Sequence, residues 1–279
     1  MIKKYIIPTL PPRLAAIADG VSKLGRQDII YDVGTDHALL PIYLIKTGLC
    51  AEAAASDVSG RSLSRARKNA EAYGVTAGIN FYEGDGFSPL IGYLPGKAVI
   101  IAGIGGKNLT EIINKGGNMA RSASFLILQP MSGQEILREW LFGNSFDIVY
   151  ERLAREGNRI YSVLFCKNAI QTDVPQAAPQ AQDPHANPQV HMPHTNLQAH
   201  APYDIYLGKN VVYDTDSDYI HFLKFTRLKV MNRLNGLSSK RKTSAERDST
   251  GCDSMETERL KIIICEIDRR INQKPVKER

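Results

Sequence analysis

The sequence lacks the patterns typical of membrane, disulfide-rich and zinc-binding proteins. Its 279 residues include only four cysteines, at positions 50, 166, 252 and 265, and no Cys-x-x-Cys pair. A disulfide framework or a zinc site is therefore not expected, and no other metal site is predicted. No uninterrupted apolar run approaches the roughly 20 residues of a membrane span, and the apolar start is too short for a signal peptide. These absences favour a globular protein of the reducing cytoplasm.

Acidic residues are fewer than basic ones, and the formal net charge is +6. An excess of this size is mild evidence for an anionic partner. Hydrophobic residues make up 43% of the chain, which is enough for a substantial core.

Composition divides the chain into three parts. Residues 1–169 alternate apolar runs with helical patterns, and we predict a first domain there. Residues 170–202 hold six of the fourteen prolines and four of the six histidines, with few bulky apolar residues. Such a segment cannot bury enough surface to offset its ordering entropy, so we predict a disordered insertion or linker. Residues 203–279 show helical patterns again.

Seven short apolar runs in the first part predict strands. Helical stretches separate the first five runs. One of these helical stretches is followed by Gly74, and glycine commonly follows a helix. This alternation indicates an α/β fold with a mostly parallel sheet covered on both faces. Only Arg-Glu-Gly-Asn separates the last two runs, so they should form a hairpin with one antiparallel strand. The seven runs are DIIYDV, AEAAASD, INFYEGD, KAVIIAG, SFLILQP, FDIVYERLA and RIYSVLFC.

Acidic residues stand where the first three predicted strands end. The first strand ends at Asp32-Val33-Gly34, the second at Asp57 and the third at Gly84-Asp85-Gly86. Ligands of open parallel sheets bind beyond the carboxyl ends of the strands, and an acidic residue after the second strand typically accepts the ribose hydroxyls. A carboxylate after the third strand can receive an exocyclic amine. Three carboxylates so placed predict a nucleoside site, although each alone could have a structural role such as capping a helix.

The turn after the first strand lacks the glycine pattern of a dinucleotide site. A pyrophosphate needs Gly-x-Gly-x-x-Gly, so that backbone amides can reach it. This turn instead carries Asp32, Asp36 and His37. Acidic side chains repel a pyrophosphate but suit a cationic ligand with an amino group. The turn therefore favours S-adenosylmethionine, which combines a sulfonium, an ammonium, a ribose and an adenine, and it disfavours a dehydrogenase.

The fourth predicted strand ends in glycines. Methyltransferases that modify exocyclic amines of nucleic acids usually carry Asp/Asn-Pro-Pro-aromatic here, and Gly103, Gly105 and Gly106 replace it. Glycines form an open floor that a flat base can approach. This argues against N6-amino transfer and leaves a ring nitrogen as a candidate target. A tight turn before the next helix is the alternative interpretation.

Together these stretches resemble the bacterial tRNA (adenine-22-N1)-methyltransferases. The most specific part is the Asp-x-Gly-x-Asp-His-Ala turn paired with the Ala-Gly-x-Gly-Gly turn, and the resemblance covers nearly all of residues 10–166. The matching pieces are Arg13-Leu14 with Ile17-Ala18, residues 32–38 with Leu40-Pro41, residues 101–106, Leu128-Gln129-Pro130, Leu137-Arg138-Glu139-Trp140, and Glu156-Gly157 with Tyr161.

The resemblance implies a class I, Rossmann-like methyltransferase fold, here with a seven-stranded sheet, and a C-terminal α-helical coiled-coil domain. It implies transfer of a methyl group from S-adenosylmethionine to N1 of adenine 22 in tRNA. The segment 170–202 departs from the family pattern. The residues expected to bind the cofactor are Asp32, Gly34, Asp57, Asp85, Gly86 and Gly103.

Other residues are candidates for the substrate side of the site. His37 and Tyr161 could equally be packing residues. For catalysis the candidates are Asp36, His37, Gln129 and Tyr161, and for contact with tRNA they are Arg13, Gly105 and Gly106.

The C-terminal part shows two apolar stripes at helical spacing, which predict an antiparallel helical hairpin. Between Tyr219 and Arg247 there are eight Lys or Arg residues and one acidic residue. Basic helices attract phosphate backbones, so Lys224, Arg227 and Arg233 are candidate tRNA contacts. A solvated coiled-coil face is the alternative interpretation.

Two further functions remain open from the sequence. One is a methyltransferase that acts on another RNA or on a small molecule, and the basic hairpin argues against the small molecule. The other is a non-catalytic tRNA-binding protein that retains the cofactor fold. No obligate protein partner is evident.

Overall fold

The structure is a computed structural model that describes residues 6–90, 96–169, 201–209, 211–243 and 252–273. Residues 170–200, which form most of the predicted disordered insertion, lie outside the described residues. That prediction therefore stays a prediction.

One mixed sheet of eight strands forms the centre of the described structure. The strands are β1 (Gln27–Val33), β2 (Cys50–Asp57), β3 (Ile79–Glu83), β4 (Ala98–Ile104), β5 (Phe125–Pro130), β6 (Phe146–Glu156), β7 (Arg159–Asn168) and β8 (Val211–Val212). Their order across the sheet is β3-β2-β1-β4-β5-β7-β6-β8. Among these strands β7 alone runs antiparallel to its neighbours. The seven predicted strands, the parallel arrangement and the final hairpin are confirmed.

The prediction of seven strands was wrong by one. The eighth strand comes from the C-terminal part, where Val211 and Val212 pair in parallel with Glu151 and Arg152 of β6. Two residues are too few to show an alternating pattern, which is the signal for a strand. The pairing covers backbone groups of β6 that would otherwise lie at an open sheet edge.

Eight helices surround and extend the sheet in the described ranges. They are α1 (Pro12–Lys23), α2 (Leu39–Lys46), α3 (Gly60–Tyr73), α4 (Gly106–Ser122), α5 (Gln134–Gly143), α6 (Asp204–Leu207), α7 (Asp216–Thr243) and α8 (Cys252–Asn272). The Ser59 side chain caps α3, and Gly74 follows it in the left-handed conformation that the sequence predicts. No helix described is both long and apolar enough to cross a membrane.

The central strands are buried on both faces, as a parallel sheet requires. Ile30 and Ile100 belong to a cluster with residues of α1 and α2. Tyr31 and Val99, their neighbours in the chain, point to the opposite face and pack with residues of α4 and α5. The alternation along β1 and β4 therefore builds two cores, one on each side of the sheet.

Helices α7 and α8 form the predicted antiparallel hairpin. Arg270, near the end of α8, donates a hydrogen bond to the Tyr219 hydroxyl near the start of α7. Arg233, further along α7, forms an ion pair with Glu256 near the start of α8. A separate apolar cluster holds the two helices together, and it also includes Leu153 of β6. The hairpin therefore shares its core with the edge of the sheet.

Helix α1 approaches β7 so closely that one position requires glycine. A Cβ added to Gly20 would overlap the ring of Phe165, which is itself buried. Gly236 in α7 is different, because nothing lies within 4 Å of a Cβ added there.

We expect Gly20→Ala to destabilise the protein by about 1–3 kcal/mol, because the clash outweighs the better helix propensity of alanine. Gly236→Ala is the matched control. It should stabilise α7 by about 0.5–1 kcal/mol, since the same exchange meets no neighbour. Urea unfolding of both variants measures the difference. Equal effects of the two exchanges would contradict the close approach of α1 to β7.

Candidate active site

The strand order reverses between β1 and β4, and a cleft lies at the carboxyl ends of these strands. Crevices at such switch points are the usual ligand sites of open α/β sheets. The cleft has two lobes, which share Gly34, Ala102 and Gly103 as a common floor. We call them the β3-side lobe, which Asp57 and Asp85 line, and the α1-side lobe, which Asp32 lines.

The floor needs glycine because of its backbone conformation. Gly34 and Gly103 have φ angles of 79° and 78°, a region that other residue types rarely adopt. β4 is irregular in its pairing with β5 between Ala102 and Ile104. The Gly103 N–H donates to Oε1 of Gln129 at 3.1 Å, which anchors the irregular turn to β5.

The β3-side lobe has a volume of about 430 Å³ and contains two of the three predicted carboxylates. Asp57 accepts the backbone N–H of Ser59 at 2.8 Å and that of Asp36 at 3.2 Å, one on each oxygen. These bonds orient the carboxylate, and each oxygen keeps a lone pair for a ligand. Asp85 lies at the exposed rim, 3.3 Å from Nζ of Lys115.

The α1-side lobe has a volume of about 260 Å³ and holds the buried carboxylate of the site. Asp32 is only 5% exposed and forms no ion pair within the described ranges. Burial raises the pKa of Asp32 to about 6, and the nearby Asp57 carboxylate adds to the rise. An anion held in this way favours a cationic ligand.

The turn between β1 and α2 has an unusual backbone conformation. Asp36 and Ala38 have φ angles of 43° and 54°, in the left-handed region. The Asp36 carboxylate lies 3.1 Å from a guanidinium nitrogen of Arg65 and 3.4 Å from Nε2 of His37. The side chain of His37 is 47% exposed at the mouth of the α1-side lobe. Backbone strain outside glycine is concentrated at functional sites in many proteins.

Arg13 lines the α1-side lobe but is already paired. Its guanidinium and backbone N–H bind the Glu156 carboxylate at 3.0–3.1 Å, which joins the start of α1 to the end of β6. A phosphate that bound Arg13 would therefore compete with Glu156.

Gln129 and Tyr161 line neither lobe. Gln129 is fully buried, with its side chain bonded to Gly103 and to the carbonyl of Pro130. It therefore holds the floor of the cleft rather than facing its interior. Tyr161 is buried in β7 opposite Ala154.

Gly105 and Gly106, at the start of α4, also lie outside both lobes. A Cβ on Gly106 would collide with the backbone of Gly133, so this position permits close packing of two turns. Gly105 has ordinary extended backbone angles. For these two residues the structure supports the tight-turn interpretation of the glycine run.

The three predicted hairpin cations differ in their surroundings, and none of them lines the cleft. Arg227 forms two hydrogen bonds with Asp268. Arg233 pairs with Glu256. Lys224 is exposed and has no ion pair among the residues described. Two of the three cations are thus paired with carboxylates of the same hairpin.

Sequence reasoning missed the contribution of α4 to the β3-side lobe. Asn108, Glu111 and Lys115 line it from one side of that helix. Their spacing of three and four residues after a glycine turn was the available signal, because it places polar side chains on the face nearest the strand ends. Arg65 was also missed, and no local pattern distinguishes it from other basic residues of α3.

Comparisons with known proteins identify a methyltransferase domain in this chain. Residues 10–164 match the methyltransferase domain family. The chain is 34% identical over 154 residues to a Mycoplasma genitalium protein named as a candidate tRNA methyltransferase. This match covers 54% of this chain and 67% of that protein. The chain is also 29% identical over 136 residues to the tRNA (adenine(22)-N(1))-methyltransferase of Bacillus subtilis. This second match covers 49% of this chain and 57% of that protein.

A solved structure shows the same fold over almost the whole chain. M. capricolum TrmK, in complex with S-adenosyl-homocysteine, superposes with a TM-score of 0.62 and 21% sequence identity. The match covers 96% of this chain and 99% of that one. At this identity the likeness concerns the fold.

We expect Asp32→Asn to stabilise the ligand-free protein above pH 7 by about 1–3 kcal/mol, since ionisation of Asp32 is unfavourable in the folded state. The folded protein keeps the proton up to about pH 6, whereas the unfolded chain releases it near the ordinary value of 3.8. Stability of the native protein should therefore fall between pH 4 and pH 6, and the variant should lose this dependence.

Thermal unfolding from pH 4 to pH 8 measures the effect of Asp32→Asn. Asp28→Asn is the control, because Asp28 is 93% exposed in the same strand. A stability difference between Asp32→Asn and the native protein that is the same at all these pH values would contradict the raised pKa.

Proposed function

Because the chain belongs to the tRNA (adenine-22-N1)-methyltransferase family, we propose that it transfers a methyl group from S-adenosylmethionine to N1 of adenine 22 in tRNA. The observation that carries the proposal is the convergence of Asp32, Asp57 and Asp85 on one cleft at the switch point of the sheet. We infer that the protein acts in the cytoplasm, where tRNA is modified.

The β3-side lobe has the groups that an adenosyl moiety requires. Asp57 has free lone pairs for two ribose hydroxyls, and its backbone partners hold it in place. Val58 presents an exposed apolar side chain next to it, a surface on which a base can pack. Asp85 and Gly86 also line this lobe, and the Asp85 carboxylate at its rim can accept an exocyclic amine.

The α1-side lobe fits the charged end of the same cofactor. S-adenosylmethionine supplies a methyl group on a cationic sulfur and carries an ammonium group. The buried Asp32 carboxylate stabilises positive charge in the lobe, and the glycine floor lets a ligand approach the backbone. The two lobes adjoin at Gly34 and Gly103, so one molecule can occupy both.

The target base would enter from the open side of the α1-side lobe. Adenine N1 has a lone pair and would attack the methyl carbon in line while the S–CH3 bond breaks and S-adenosyl-homocysteine leaves, so the protein would contribute mainly position and exclusion of water. The base has to be extruded from its contacts, which costs a few kcal/mol. His37 and Asp36 lie at the mouth of the lobe, where they can contact the base and stabilise the cationic product.

We infer a division of labour along the chain. Residues 1–169 bind the cofactor and carry out the transfer, residues 170–202 link the two parts, and residues 203–279 form a helical domain that contacts tRNA. Gln129 supports the floor of the cleft, and its effect on catalysis would be exerted through Gly103.

The decisive experiment is mass-spectrometric mapping of nucleosides in tRNA treated with the protein and S-adenosylmethionine. We expect N1-methyladenosine at position 22 and no new N6-methyladenosine. A methyl group at another site would identify a different RNA methyltransferase. Cofactor binding without methylation of any tRNA would support a non-catalytic binding protein instead.

We expect Asp57→Ala to weaken S-adenosylmethionine binding by about 1–3 kcal/mol, because two charge-assisted hydrogen bonds to the ribose are lost. Calorimetry on the folded variant measures this change. Asp28→Ala removes an exposed carboxylate from the opposite end of β1 and should leave the affinity unchanged. Native affinity in Asp57→Ala would remove Asp57 from the site.

A further inference from the structure

Helix α3 docks directly on the turn that contains the candidate catalytic residues. Arg65 binds the Asp36 carboxylate at 3.1 Å. Asn69, one turn further along the helix, donates to the backbone carbonyl of His37 at 2.9 Å. The surface of α3 is therefore continuous with the mouth of the α1-side lobe.

The part of α3 next to this turn is basic. Arg61, Arg65 and Lys68 are exposed and follow each other at intervals of four and three residues, so they share one face of the helix. Seven residues of helix place Arg61 and Lys68 about 10 Å apart along its axis. We call these three residues the α3 basic face.

Two of these cations are unpaired. Arg65 is partly neutralised by Asp36, but neither Arg61 nor Lys68 forms an ion pair or hydrogen bond with the residues described. The first turn of α3 contains no acidic residue and does contain Arg61. A cation at a helix N-terminus is unfavourable for the helix dipole, so helix stability does not account for it.

Three cations of the helical hairpin have a different environment, whereas Lys224 is exposed and has no ion pair among the residues described. Arg227 pairs with Asp268, Lys229 with Glu135, and Arg233 with Glu256. A phosphate would have to displace a carboxylate at each of these three positions. The α3 basic face offers two cations without that cost.

We propose that the α3 basic face binds the tRNA phosphate backbone beside the methylated adenine. The inference rests on the proposed function and adds a second RNA contact, on the catalytic part of the chain. Contacts to phosphates fix the orientation of a nucleic acid on a protein. A contact next to His37 positions the strand from which the base is extruded, which contacts on the hairpin alone do not achieve.

Acidic residues limit the surface on its other flank. Lys68 borders this flank, where it lines a shallow depression together with Arg67, Glu71 and Glu83. The two carboxylates, Glu71 and Glu83, disfavour a phosphate inside the depression. The RNA path that the charges favour therefore runs from Arg61 along the side of the helix that faces Asp36.

The test uses the full-length protein with Arg61→Gln and Lys68→Gln combined. Each phosphate contact contributes about 0.9 to the slope of log affinity against log salt for duplex and about 0.7 for single strands. We expect the double variant to bind tRNA more weakly, with a slope shallower by about 1.4–1.8. Neither side chain lines the cleft, so affinity for S-adenosylmethionine should stay native.

Arg26→Gln combined with Lys97→Gln is the matched control. These residues precede β1 and β4. Their exchange therefore removes the same charge at the amino ends of the strands, whereas the cleft lies at the carboxyl ends. The control should keep the native salt slope. An equal loss in both double variants would show a general charge effect and overturn the proposal.

The outcomes separate this proposal from the proposed function. If the native protein methylates tRNA and the Arg61→Gln/Lys68→Gln variant keeps the native slope and affinity, the α3 basic face does not bind RNA, although the function stands. If the native protein neither binds nor methylates tRNA, both proposals fail. A reduced slope with native cofactor affinity, against an unchanged control, supports the contact.

Discussion

A buried guanidinium determines how the C-terminal part of this protein attaches to the sheet. Arg138 of α5 is fully buried, and a charge in that position has to be paired and hydrogen-bonded. It pairs with the equally buried Glu151 of β6 and donates to the Ser162 hydroxyl of β7. Removing one member of such a pair typically costs about 3–5 kcal/mol, because the other charge stays buried without a partner.

The remaining hydrogen-bond acceptors of Arg138 lie in the C-terminal part of the chain. Its guanidinium donates to the backbone carbonyls of Ile205 and Tyr206 in α6. Gly208 then passes over the pair, and a Cβ there would lie only 2.5 Å from the Glu151 carboxylate. The chain reaches β6 three residues later and adds β8 to the sheet. Satisfying one buried cation thus fixes where the helical hairpin begins, and ion pairs such as Lys229 with Glu135 hold the hairpin against α5.

The cleft contains features that lower the stability of the ligand-free protein. Asp32 keeps a carboxylate in a buried environment, and the neighbouring turn holds Asp36 and Ala38 in left-handed conformations. Such features lower the stability of a free protein and persist at sites where a ligand compensates for them. A cationic cofactor would stabilise the Asp32 carboxylate, so cofactor binding and folding should reinforce each other. The hydrogen bond from the Asp36 N–H to Asp57 also couples the two lobes.

The sequence by itself determined the sheet and the strand ends at which the candidate site lies. Hydrophobic period, strand length and turn residues are local properties, and they predicted seven strands, the final hairpin and the cap at Gly74. Carboxylates at strand ends must meet at one edge of a parallel sheet, so Asp32, Asp57 and Asp85 can be grouped from the sequence alone. The tertiary structure decided the addition of β8 to the sheet and the place of Gln129 beneath the floor of the cleft. It also decided the contact of Gly106 with Gly133 and which cations are paired. Each of these depends on residues far apart in the chain whose distance only the packed fold sets, and no local pattern records that distance.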